Sequence, residues 1–305
     1  MNKVLIIGFG HIGRRVARLC LETGSAVSAL VRSENGAAEA RQMGIGVVEG
    51  NLDLPETLEN LPTAGATVFF FAPPPGGGLS DPRMRNFCAA VPAGEEPAKV
   101  VYISTSGVYG DCGGAWVTEE TPAEPSTSRA RRRFDAETAL QEWASARGVS
   151  PVILRVTGIY GPEWTPLTRL QSGHPLLCAE EAPYTNRIHA DDLTRVCMAA
   201  GLRGDAGDIF NVSDGHPSTM TDYFLTLADA FGLPRPPQIP LDEAREVMSP
   251  TMLSYLTESR RLDNRKMIEK LGVELRYPDI ASALPDLVAG VKRIMEDPEA
   301  HPDRH

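Results

Sequence analysis

Val4-Leu5-Ile6-Ile7-Gly8-Phe9-Gly10-His11-Ile12-Gly13-Arg14-Arg15-Val16 decides the fold. Four apolar residues run into G-x-G-x-x-G, and Val16, Leu19 and Cys20 carry an apolar stripe onward at helical spacing. A strand that passes through glycines into a helix reads as a dinucleotide-binding turn. Gly8 permits the tight turn, Gly10 lets backbone approach a pyrophosphate, and Gly13 lets helix and strand pack closely. The helix start, with His11 and Ile12, offers unpaired N–H groups to the anion.

Working outward, residues 26–31 read as a second strand that ends at Arg32. Dinucleotide folds that prefer NAD place a carboxylate there for the ribose hydroxyls, whereas Val31 and Arg32 offer none. An arginine suits a 2′-phosphate, so NADP is expected, with NAD the alternative because Glu34 follows. Further strands are expected at 45–49, 66–72, 100–104, 151–156 and 208–212, with a long amphipathic helix at 132–146. Strands alternating with helices predict an α/β fold, a doubly wound parallel sheet of the Rossmann kind. Ala72 and Pro73 open the loop Pro73-Pro74-Pro75-Gly76-Gly77-Gly78, at the sheet edge where a cofactor would lie. Pro and Gly break the rhythm at 164–184 and 214–276. We therefore expect residues 1–163 with 187–213 to form the dinucleotide-binding domain, and 164–186 with 214–305 to form mainly a smaller, interlaced, substrate-covering domain. The polar tail, 296–305, reads as frayed.

Charge narrows the partners. Thirty Lys and Arg stand against 40 Asp and Glu, a net −10, which argues against a nucleic-acid or anionic-membrane surface and for a small-molecule substrate. The five cysteines are scattered and form no C-x-x-C, so neither a disulfide framework nor a metal site is expected, and reduced thiols in a cytoplasmic protein are. The N-terminal apolar run is too short to span a membrane and reads as the first strand, not a signal.

Ile103-Ser104-Thr105-Ser106-Gly107-Val108-Tyr109-Gly110, Ile153-Leu154-Arg155-Val156-Thr157-Gly158-Ile159-Tyr160-Gly161-Pro162, Arg187-Ile188-His189-Ala190-Asp191-Asp192-Leu193 and Phe210-Asn211-Val212-Ser213-Asp214 follow the glycine turn in order. With them the chain resembles the extended short-chain dehydrogenase/reductases, the NAD-dependent epimerase/dehydratase family. The resemblance implies a Ser or Thr after the fifth strand and a Y-x-x-x-K on the next helix. Thr105 matches the first, but Arg129 holds the Tyr position and Arg133 the Lys position. Arginine does not release its proton at working pH, so Arg129 cannot replace the phenol as acid or base. The pattern is similar to that of atypical members, which keep the fold and often the cofactor site.

On that resemblance Thr105 polarises the reacting oxygen, and Tyr109 or His189 supplies the proton. Asn51 and Leu52 contact adenine, Asn51 standing where relatives carry Asp. Arg133 either donates to the nicotinamide ribose or lies on the surface. Arg129 and Arg187 bind substrate, with Arg155 and Arg169 in support if they converge. Asp191 and Asp192 cap and open the next helix. The function implied is an NAD(P)-binding oxidoreductase or an epimerase/dehydratase-like enzyme, acting on a small polar, anionic or sugar-nucleotide-like substrate. The alternative is a non-catalytic NADP(H)-binding redox sensor. The helices expected near 82–91 and 132–146 leave room for a homodimer.

Overall fold

The computed structural model describes residues 1–297. Its centre is a sheet of seven strands: β1 Lys3–Ile7, β2 Ala26–Val31, β3 Gly46–Glu49, β4 Thr67–Phe70, β5 Lys99–Thr105, β6 Ser150–Val156 and β7 Asp208–Val212. They lie in the order β7-β6-β5-β4-β1-β2-β3, and every neighbouring pair is parallel. A parallel sheet is covered on both faces, which is why its strands are apolar throughout. Val4 and Ile6 enter the core on one face, Leu5 and Ile7 the core on the other. The chain winds away from β1 in both directions, so β1 and β4 flank the switch point where open α/β sheets bind ligands at their carboxyl ends.

Helices α1 (His11–Glu22) and α2 (Glu34–Gln42) cover the Val4 face, and α3 (Pro82–Ala90) and α4 (Ser128–Arg147) cover the Leu5 face. The start of α4 lies four residues before the position expected from its apolar spacing. Thr127 Oγ1 accepts from the Ala130 N–H at 3.3 Å, and this cap sets the boundary. Arg129, Arg131, Arg132 and Arg133 therefore occupy its opening turns.

The rest of the chain supplies α5 (Leu167–Gln171), α6 (Ala190–Arg203), α7 (Met220–Ala230), α8 (Leu241–Val247), α9 (Pro250–Leu256), α10 (Arg265–Leu271) and α11 (Ile280–Glu296). A third core joins Leu170, Leu176, Tyr223, Phe224, Leu227 and Leu287, tying α5, α7 and α11 together. The expected covering segment 214–305 does not all cover the site: Met267 and Leu271 of α10 pack into the same core as Phe210 of β7. Of the tail, Glu296 closes α11 and Asp297 caps it, while residues 298–305 lie outside the described residues. No helix among the described residues is long and apolar enough to cross a membrane.

Candidate functional site

The glycine turn shapes a cavity of about 490 Å³ at the carboxyl ends of β1, β2 and β4. Gly8 has φ +94°, and a Cβ there would lie 2.5 Å from the Ala72 backbone nitrogen. A Cβ on Gly13 would lie 2.3 Å from the Gly8 carbonyl oxygen, whereas one on Gly10 meets nothing within 4 Å. Two glycines thus serve close packing and the third faces open space. No side chain caps α1, so the N–H groups of its first turn remain available, and this cradle fits a pyrophosphate. Gly8, Gly10, His11, Ile12, Gly13, Arg32, Asn51, Leu52, Ala72 and Pro73 all line this one cavity.

Around it, Ser33 caps α2, and Glu34 turns away onto Arg41 at 3.2 Å, leaving exposed Arg32 at the end of β2. Arg83, which the sequence did not single out, closes the wall. Its guanidinium grips Asp53 through Nε at 2.7 Å and Nη2 at 2.6 Å, and donates to the Pro73 carbonyl at 2.7 Å. That hydrogen-bonded fork holds the Asp53 carboxyl below the usual range.

A second cavity, of about 520 Å³, lies between the end of β5 and the C-terminal elements. Thr105 stands on its wall with Ser106 and Gly107. The Thr105 hydroxyl accepts from the Gly107 N–H at 3.2 Å, which leaves its own hydrogen to donate. Arg129, Arg169, Arg187 and Arg260 converge here from α4, α5, the 184–189 segment and the chain beyond α9. Arg129 donates to Ser254 Oγ at 2.9 Å and lies 3.9 Å over the Tyr255 ring. Arg187 donates to Thr185 Oγ1 at 2.7 Å and lies 3.7 Å over the Tyr223 ring. Arg169 lies over Phe224 and meets the Met252 sulfur. Burial holds Arg169 and Arg187 below the ordinary arginine range. Among the described residues only Arg260 of the four has a carboxylate partner, Glu258 at 3.0 Å. Glu258 also accepts from Ser126 Oγ at 2.5 Å. Ile159 and Trp164 line both cavities, and the indole sits 5.0 Å from the His11 ring. No motif announced Tyr184, Tyr223, Phe224, Tyr255 or Glu258, because tertiary folding alone carries them to this wall.

Four expected roles need correction. Tyr109 does not reach the cavity: it is 2% exposed, and its hydroxyl donates to Asn211 Oδ1 at 2.7 Å inside the core. Burial raises its pKa, so it is a poor proton donor as well as a distant one. His189 faces elsewhere. Its Nδ1 accepts from the Asp191 N–H at 3.1 Å, making His189, and not Asp191, the cap of α6. Its ring lies 4.1 Å from that of Tyr277 and borders a third cavity with Arg15, Glu163, Asp191 and Asp286. Burial holds its pKa below the usual value. Arg133 folds back, donating to the Ile103 carbonyl at 2.8 Å, and lines neither main cavity. Arg155 is buried against Glu137 at 2.8 Å, neutralised away from any substrate.

Fold and cavities together define a short-chain dehydrogenase/reductase of the extended type, with a dinucleotide-type turn beside an arginine-rich cavity. The chain belongs to the NAD dependent epimerase/dehydratase family, whose model matches residues 4–213. Protein YeeZ of Escherichia coli (strain K12) is 26% identical over 292 residues, covering 92% of this chain and 97% of its own length. A functionally unknown conserved protein from Silicibacter pomeroyi DSS superposes with a TM-score of 0.79 at 29% identity, over 95% of this chain and 99% of that one. The dTDP-glucose 4,6-dehydratase of Bacillus anthracis str. Ames, in complex with NAD, superposes with a TM-score of 0.79 at 18% identity, over 97% and 98% of the two chains, a likeness of fold.

Proposed function

We propose that this protein is an NADP(H)-dependent oxidoreductase or epimerase-like enzyme acting on a small anionic substrate. The observation that carries the reading is the arginine set of the second cavity. Three guanidinium groups, Arg129, Arg169 and Arg187, are held there by hydroxyls, aromatic rings and a sulfur, with no carboxylate partner among the described residues. All three are partly buried, Arg187 feels the Asp214 carboxyl without forming an ion pair with it, and an anionic ligand would pair with the set.

A nicotinamide dinucleotide, when bound, supplies hydride chemistry. Gly8, Gly10, Gly13 and the α1 N–H groups take its pyrophosphate, Asn51 and Leu52 flank its adenine, and Arg32 beside Ser33 takes a 2′-phosphate. Thr105 donates its hydroxyl hydrogen to the reacting oxygen, and Arg129, Arg169 and Arg187 orient the anion. With Tyr109 and His189 removed from the reaction, the proton exchanged at that oxygen comes from water in the open cavity. The absence of a phenol at position 129 favours a second reading, a sensor that binds NADP(H) without turnover.

The deciding experiment monitors NADPH absorbance across a set of anionic carbonyl compounds, for the wild type and Arg187→Ala. Consumption that depends on Arg187 supports the enzyme. Tight NADPH binding with no consumption across the set supports the sensor.

A further inference from the structure

Strands β3 and β4 are not neighbours in the sheet, because β1 and β2 lie between them. The ladder therefore does not set the spacing of the segments that leave their carboxyl ends, residues 51–53 and 71–73. One side chain joins the two. The Arg83 guanidinium holds the Asp53 carboxylate with two donors, Nε at 2.7 Å and Nη2 at 2.6 Å, and gives Nη1 to the Pro73 carbonyl at 2.7 Å. One turn further along α3, Asn86 Nδ2 donates to the Leu52 carbonyl at 2.7 Å. Asn51, Leu52, Ala72, Pro73 and Arg83 itself all line the first cavity.

The helix that carries this bracket is itself fixed. Asp81 caps α3 and accepts from the Arg83 N–H at 2.9 Å, Met84 and Phe87 are buried in the core on the Leu5 face, and Arg85 Nη2 donates to Asp135 Oδ1 of α4 at 2.8 Å. Pro73, Pro74 and Pro75 fix φ in the first half of their loop, so a hold on the Pro73 carbonyl holds the run. As a contribution to folding the Arg83–Asp53 pair is minor, because Asp53 is 38% exposed and solvent screens the attraction. We infer that Arg83 is a positioning residue for the dinucleotide, setting the spacing of the Leu52 and Pro73 walls between which the adenine end is held. This rests on the reading of the first cavity as the dinucleotide site. Three of the five guanidinium donors are spent on Asp53 and Pro73, so Arg83 acts through these walls, and Asp53 acts by holding Arg83.

The test is calorimetry on the full chain with two probes, NADPH and adenosine 2′,5′-bisphosphate, which carries the adenine end without the nicotinamide. Circular dichroism establishes that each variant is folded. Arg83→Met is expected to weaken both probes by the same factor, about tenfold, the worth of one charge-assisted contact. Asp53→Ala should lose about three- to tenfold, and the double variant no more than Arg83→Met alone, since both changes break one link. Arg83→Lys keeps the charge without the planar fork and should recover part of the loss. Unchanged affinity of both probes in Arg83→Met, or in Asp53→Ala should that variant not fold, overturns the positioning role and leaves the dinucleotide site standing. Losses that add in the double variant, or that fall on NADPH and spare the bisphosphate, overturn it as well. A wild type that binds neither probe removes the dinucleotide reading and this inference with it.

Discussion

At the scale of single residues, charge placement decides the chemistry. Arg32 is exposed at the end of β2, the neighbouring Glu34 is engaged with Arg41, and no Asp or Glu among the described residues lines the first cavity. Calorimetry of the wild type should give tighter binding of NADPH than of NADH. Arg32→Asp should reverse the order, by about 1.5 to 3 kcal/mol, or roughly ten- to a hundredfold. Equal affinities in the wild type would remove the basis for this preference. Asp214 makes a second residue-scale case. Burial lifts its pKa from 3.8 to about 7, although the His216 N–H donates to its Oδ1 at 2.9 Å. The folded protein therefore keeps this proton over a range in which the unfolded chain has released it. Stability from this group is complete below pH 3.8 and is lost progressively up to about pH 7, by at most on the order of 4 kcal/mol. Asp214→Asn stays neutral and can still accept from His216. Urea denaturation at pH 4.5 and at pH 8 should show the variant gaining on the wild type as pH rises, and a constant difference would contradict the assignment.

At the scale of elements, the glycine turn separates folding from binding within six residues. Gly10 has φ −95° and open space beside it, so Gly10→Val should melt close to the wild type yet lose NADPH binding by about tenfold or more, from a side chain filling the cradle. Gly13→Ala pushes a methyl to 2.3 Å from the Gly8 carbonyl and should cost about 1 to 3 kcal/mol of stability. If Gly10→Val binds NADPH unchanged, the cradle is misplaced. The strands were legible because each is an apolar run bounded by turn residues; the expected 208–212 coincides with β7, and 26–31 with β2. The start of α4 was not, because its Thr127 cap precedes an arginine run that hides the apolar spacing. The first cavity was readable because the residues expected to share it lie near strand ends along one sheet edge. The second cavity was readable only in part: Thr105, Arg129, Arg169 and Arg187 were expected near one another, but Tyr255 and Glu258 are distant in sequence and no local pattern records their joining the same wall. His189 shows the converse: its motif was visible, but its ring turns away to cap α6.

At the scale of the whole molecule, the cores on the two faces of the sheet bury most of the thiols. Cys20, Cys88 and Cys197 are buried, Cys112 and Cys178 partly so, and all five are free. Burial pushes Cys20 up to about 11 and Cys88 up to about 12, suppressing the reactive thiolate. Ellman's reagent added to native protein should label Cys178 first and Cys112 more slowly, with the other three responding only on denaturation. Prompt reaction of five thiols in buffer would mean that the packing described for α1, α3 and α6 does not hold in solution.

Trp164 belongs to neither cavity alone. Its indole and Ile159 line both the first and the second cavity, with His11 of the glycine turn packed against the ring. A shared wall is a physical route by which a ligand in one cavity would act on a ligand in the other. Whatever factor the dinucleotide imposes on the affinity of the anion, the anion returns to the dinucleotide, by the reciprocity of linked equilibria. Whichever guest comes first, the wall it leaves would meet the second with the same coupling free energy.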